Sequence, residues 1–235
     1  MQEKRLLTTT TGEMLQPARL YYEVVDLPHV LASLSQLRCV ENDPPNDRFV
    51  WLYRDESRQL KFANPYSSIP REMQPIVLGS FYFRQEGEML LDVRSFERAT
   101  KAIVFFDKHI GRSAARVTHA AVVNRLLSPP ESSAFEAMKL FDSEPVVERN
   151  PNDLIESAKN WAKGKSLGEK LQTVMPFLEQ LGRQELPEIE KFPVHFYEEG
   201  IATLDGVLTI RRAVAFEHWK GNKDFAIADL INGSL

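Results

Sequence analysis

Residues 75–126 read PIVLGSFYFRQEGEMLLDVRSFERATKAIVFFDKHIGRSAARVTHAAVVNRL. Val77, Gly79, Phe81 and Phe83 alternate with Leu78, Ser80, Tyr82 and Arg84, the period of two that a strand imposes. Glu86-Gly87 supplies a turn, and Met89, Leu91 and Val93 return as a second strand. Ser95 is a good N-cap, and Glu97 stands where a helix dipole favours negative charge. Phe96, Ala99, Ile103, Phe106 and Ile110 then recur at intervals of three and four, one apolar stripe along a helix. Lys108 and His109 fall in its last turn, and Gly111 closes it. Phe105 lies about 130° from the centre of that stripe, at about 100° per residue, so it faces something other than the sheet. Arg116 to Val123 reads best as the strand that follows, with a helix from His119 as the alternative. The stretch reads strand, turn, strand, helix, strand.

Upstream, Leu20, Tyr22 and Val24 alternate as a strand. Asp26 caps a helix with Pro28 in its first turn, and Leu27, Val30, Leu31, Leu34 and Leu37 carry it to about Cys39. Residues 42–47 (NDPPND) read as a loop, Arg48–Arg54 as a strand, and Gln59–Ala63 as a short partner to it. Two helix-containing halves around an antiparallel hairpin resemble, in topology, a ferredoxin-like α/β sandwich. Downstream the pattern turns helical. Ser133 with Glu136, and Ser166 with Glu169, have capping-box spacing. Asn150-Pro-Asn-Asp starts a helix, and Pro176 should kink or split the last one. The tail returns to strand periodicity in Pro193–Glu198, and Asp205-Gly206 between apolar runs signals a two-residue hairpin, followed by a short helix in 224–231. The expected organisation is α+β: a frayed or strand-like leader over 1–17, an α/β sandwich over 18–128, a helical region over 129–184, and a C-terminal β-hairpin with a short helix over 185–235.

An apolar fraction of 43% and a charged fraction of 26% are those of a globular chain. The net charge of −4 gives no overall attraction to nucleic acid or anionic membrane. A single cysteine, Cys39, excludes an internal disulfide and reads as a small buried hydrophobe. There is no apolar run of signal-peptide type and none approaching the ~20 residues of a membrane span, so the expected location is the cytoplasm and no membrane partner is expected.

Short catalytic motifs are missing: neither a glycine-rich phosphate loop nor a nucleophile elbow nor a zinc-protease helix occurs. Of the five histidines, His109 and His119 flank Gly111, and two stand near acids (His195 with Glu198 and Glu199, His218 with Glu217 and Asp224), but no spacing enforces three convergent ligands. No catalytic residue, metal or cofactor is therefore expected. The stronger signal is charge. From Ser95 to Arg125 six cations stand against two acids, whereas residues 131–156 carry seven acids against two cations. The basic face, built from Arg98, Lys101, Phe105, Lys108, His109, Arg112, Arg116 and His119, is the candidate binding surface. The acidic helical region is expected to cover it, with Phe105 buried between. The leading function is a non-enzymatic binding or assembly protein acting on a protein partner or a second copy of itself. The alternative is an RNA- or single-stranded-DNA-associated module using that face, and the third is an enzyme whose site has no local motif.

Overall fold

The computed structural model describes residues 5–84, 87–127, 134–194 and 201–232. Among them lie β1 (Ala18–Val24), α1 (Leu27–Gln36), β2 (Val40–Asp43), β3 (Arg48–Leu52), β4 (Val77–Phe83), β5 (Glu88–Val93), α2 (Phe96–Ile110) and β6 (Ala115–Val123). Then follow α3 (Ala134–Ser143), β7 (Val146–Glu148), α4 (Pro151–Ala162), α5 (Leu167–Gly182), β8 (Ile189–Pro193), α6 (Ile201–Lys220) and α7 (Ile227–Asn232). The protein is mixed α/β, with one open sheet ordered β2-β3-β4-β5-β1-β6-β8-β7. Neighbouring strands are antiparallel except β7 and β8, which run parallel. This sheet of eight strands is larger than the two-helix sandwich expected, and β7 and β8 join it from beyond residue 128.

Strand alternation divides the sheet into two faces. On the first, Ala18, Leu20, Tyr22, Trp51, Phe81, Leu91, Val93, Ala120 and Val122 are buried in one core with Val30 and Leu34 of α1 and the apolar stripe of α2. Leu204 and Leu208 of α6 complete it. On the second, Ala121, Val123 and Ile189 pack against Phe141, Met138 and Leu140 of α3, so α3 covers the β6–β8 side. The local helix starts form as their residues dictate. Asp26 accepts from the His29 amide, Ser95 from the Arg98 amide, and Ser166 with Glu169 closes a full capping box.

Several expectations are corrected. The leader is built into the body: Leu15 N–H donates to Leu7, and Thr11, Glu13, Leu15 and Gln16 are buried. Gly12 turns this hook at φ +92°, with Ala63 Cβ only 2.9 Å from where its own Cβ would stand. Residues 59–63 form no strand; β3 pairs instead with β2, formed by residues read as helix end and loop. Cys39 is buried as expected, but at the entry to β2 rather than in α1. Helix α5 runs through Pro176 unbroken. The Glu86 turn, the Ser133 cap and His195 lie outside the described residues.

The C-terminal β-hairpin is replaced by α6. Its β-branched residues and Asp205-Gly206 pair mimic a hairpin, but Leu204, Leu208 and Ala215 recur at helical spacing and all three are buried. Gly206 sits inside this helix with open space where a Cβ would be. Gly206→Ala is therefore expected to stabilise the fold by about 0.5–1 kcal/mol in urea melts, since alanine loses less backbone entropy. A hairpin turn needing positive φ at that position would instead lose stability.

Candidate functional site

The strand registers align one row of side chains across the second face. Arg19 of β1 stands opposite Asp92 of β5, Asp92 opposite Ser80 of β4, and Ser80 opposite Val50 of β3. The next row holds Tyr21, Leu90 and Tyr82. Arg94 follows two residues after Asp92 on the same face, and Arg84 two after Tyr82. Among the described residues no helix lies flat on the strands here. A crevice of about 390 Å³ opens instead, lined by Arg19, Arg48, Val77, Leu78, Ser80, Tyr82, Arg84, Leu90, Asp92 and Arg94, with Met138, Lys139 and Asp142 of α3 at its edge. Five cations thus face two carboxylates.

The charges pair unevenly. Arg19 is 4% exposed. Its Nε and Nη2 reach Asp92 at 2.6 and 2.9 Å, while Nη1 and Nη2 reach Asp142 at 2.7 and 3.1 Å. Its guanidinium also lies 5.1 Å from the centre of the Phe141 ring. Burial lowers the Arg19 pKa, but the hydrogen bonds to Asp92 and Asp142 outweigh it and hold the group charged. Burial raises Asp92 above its ordinary value, with Arg19 opposing, whereas the hydrogen bond from Arg19 holds Asp142 below. Arg84 shares Asp142 at 3.2 Å. Arg48 pairs with Asp43 at 2.8 Å and reaches Ser80 Oγ at 3.4 Å.

Arg94 is different. Its side chain is half-buried and makes no hydrogen bond or ion pair among the described residues. Burial, then the nearby positive charge of Arg48, depress its pKa. Two guanidiniums are held close in a partly desolvated crevice, one of them uncompensated. That arrangement attracts an anion.

The residues expected to form the binding face are dispersed. Arg98 is not on the outer side of α2. It is 1% exposed, donating to Glu13 Oε1 (3.1 Å), Thr11 Oγ1 (2.6 Å) and the carbonyls of Val77 and Leu78. Burial raises the Glu13 pKa, but Arg98 and the Thr11 and Thr9 hydroxyls outweigh it and bring the net value below normal. Lys101, Phe105 and Lys108 do converge, on a groove of about 540 Å³ between α2 and the start of α6. Phe105 is buried as expected, yet its cover is different: it stacks on Trp51 at 5.7 Å, with His109 4.6 Å from its ring. Burial, with Lys108 nearby, lowers the His109 pKa. Arg112 pairs with Asp107 at 2.9 Å and Arg116 with Glu23 at 2.8 Å. His119 is on the second face, 3.9 Å from Glu148.

Among the described residues the acidic region does not cover α2. Its Asp142 reaches the opposite face of the sheet, and α2 is met by α6, where Arg212 pairs with Glu97. Among the described residues no three His, Cys, Asp or Glu side chains converge as metal ligands. No described helix is long and apolar enough to cross a membrane. The crevice has no signature in sequence order, because its lining comes from four strands, a helix and two loops. One signal was present: Arg19 and Asp92 are charges within mostly apolar strands, on the face opposite the main core. No family model matches the chain, and no curated protein or solved structure matches it.

Proposed function

We propose that the chain is a non-enzymatic binding protein that holds an anionic group in the crevice on the second face of its sheet. The observation that carries this reading is Arg94, a half-buried cation with no counter-charge among the described residues and Arg48 beside it. A cation kept partly out of water without a partner is destabilising, and an anion seated there relieves that cost. The crevice has the concavity and size of small-ligand sites. We take the run β4-β5-β1-β6, with α1 and α2 on one face, as a ferredoxin-like kernel extended at both edges. Its other face, which α3 covers on the β6 side, carries the crevice.

The test is thermal melting in sodium sulfate against sodium chloride at equal ionic strength. Sulfate stabilises folded proteins generally, so the informative quantity is the difference between wild type and Arg94→Met. Wild type is expected to gain about 1.4 kcal/mol more than the variant when the anion is tenfold above its Kd. An equal response of the two proteins overturns the reading.

A second reading, contact with a protein partner, is favoured by the groove at Lys101, Phe105 and Lys108, where Val104 of α2 is 49% exposed. The variant Lys101→Glu/Lys108→Glu separates the two, because anion binding in the crevice leaves it unaffected.

A further inference from the structure

We infer that the anion is a phosphomonoester, its dianionic head clamped between Arg48 and Arg94 and its organic body lying on the apolar floor of the crevice. The inference rests on the anion-binding reading and adds to it the chemical class of the ligand.

Charge comes first. Arg19 is saturated by Asp92 and Asp142, and Arg84 shares the second of these carboxylates. Arg48 has Asp43 on its outer side, whereas Arg94 has no partner among the described residues. That uncompensated charge stands in a crevice whose inner residues Ser80, Leu90 and Asp92 are 7%, 1% and 6% exposed, so the ligand it takes is an anion, and Arg48 across β4 is the second clamp that a further negative charge on it meets.

Geometry separates phosphate from carboxylate. A carboxylate is planar and is satisfied by one guanidinium fork, as Asp92 is by Arg19 through two hydrogen bonds of 2.6 and 2.9 Å. Arg48 and Arg94 come from opposite sides of β4, with the Ser80 hydroxyl 3.4 Å from Arg48 Nη1. Donors arriving from different directions are matched by the three oxygens of a tetrahedral head. Tyr82 lines the same place and brings a phenol to it.

The floor sets the rest. Part-exposed Val77, Tyr82 and Met138 line the crevice beside these donors, over a closed floor of Leu78 and Leu90. Bare inorganic phosphate leaves that surface wet, whereas an ester with an apolar or ring-containing body covers it. A space of about 390 Å³ admits a metabolite-sized molecule.

The experiment is calorimetric titration of the full chain with four probes at pH 7.5: phenyl phosphate, benzenesulfonate, phthalate and inorganic phosphate. Phenyl phosphate is expected to bind at least tenfold more tightly than each of the others. Arg94→Met, which removes no internal hydrogen bond or ion pair seen among the described residues, is expected to lose at least tenfold of that affinity with an unchanged circular dichroism spectrum. Equal binding of phthalate or benzenesulfonate overturns the phosphomonoester assignment while leaving anion binding intact. Equal binding of inorganic phosphate overturns the role of the apolar floor. Absence of binding by all four overturns both this inference and the anion-binding reading.

Discussion

Arg98→Met is expected to cost about 3–5 kcal/mol of folding stability, because it strands a buried carboxylate. Glu13 and Arg98 are 4% and 1% exposed and 3.1 Å apart. Methionine fills much of the arginine's volume, so the loss comes from charge and hydrogen bonding rather than from a cavity. Glu13 is left with the Thr9 and Ser95 hydroxyls, while Thr11 and the Val77 carbonyl lose their donor. The double variant Arg98→Met/Glu13→Leu removes both charges and is expected to recover part of the loss, with a coupling of about 1–3 kcal/mol in a double-mutant cycle. Urea melts of the four proteins check this. A loss below about 1 kcal/mol for Arg98→Met means that the hook over residues 7–16 does not close over α2.

Arg19→Met is expected to be comparably damaging, with a distinguishing dependence on pH. It removes the bidentate partner of Asp92, which is 6% exposed, and one of the partners of Asp142. Asp142 is half-exposed and turns to water or to Arg84; Asp92 has no such exit. Burial already raises the Asp92 pKa, and without Arg19 nothing of comparable strength opposes that rise. A carboxyl whose folded pKa exceeds its unfolded value binds more protons in the native state, so stability falls as pH rises through that range. Arg19→Met is therefore expected to lose about 3–5 kcal/mol at pH 8 and distinctly less at pH 5, as Asp92 takes up a proton. Arg19→Met/Asp92→Leu should show neither the full loss nor the pH dependence. A loss in Arg19→Met that is the same at both pH values contradicts the picture of Asp92 as a buried charge held by Arg19.

What was legible in the sequence is what is decided locally. Asp26, Ser95 and Ser166 cap the helices they precede, because a cap needs only an oxygen and an amide two or three residues away. The apolar stripe of α2 and the strand alternation of β1, β4 and β5 lie where their periods place them. What was not legible depends on distant partners. Arg98 sits roughly 120° from the centre of its stripe and reads as an outward cation; it is internal because Thr11 and Glu13, more than eighty residues earlier, fold over it. Strands β2 and β7 have four and three residues, too few for a period to register. Helix α6 was disguised by its isoleucine, valine and threonine content, a local preference that packing of Leu204 and Leu208 on α2 and the sheet overrides.

The same distinction explains the candidate site. The basic run from Ser95 to Arg125 is conspicuous because its charges are adjacent in sequence. In space it divides into a buried ion pair at Arg98, surface pairs at Arg112 and Arg116, and a groove at Lys101 and Lys108. The arginines that do converge, at 19, 48, 84 and 94, come from different strands and their flanks, and only the sheet register brings them together. Each is unremarkable alone. Together they hold more positive charge than Asp43, Asp92 and Asp142 neutralise.

The most direct test of this account is backbone amide NMR of the full chain during titration with phenyl phosphate. Saturable shifts are expected to cluster in residues 48–50, 77–84 and 90–94, and to be lost in Arg94→Met. Shifts confined to Lys101–Lys108 and the start of α6, or no saturable shifts at all, would contradict it.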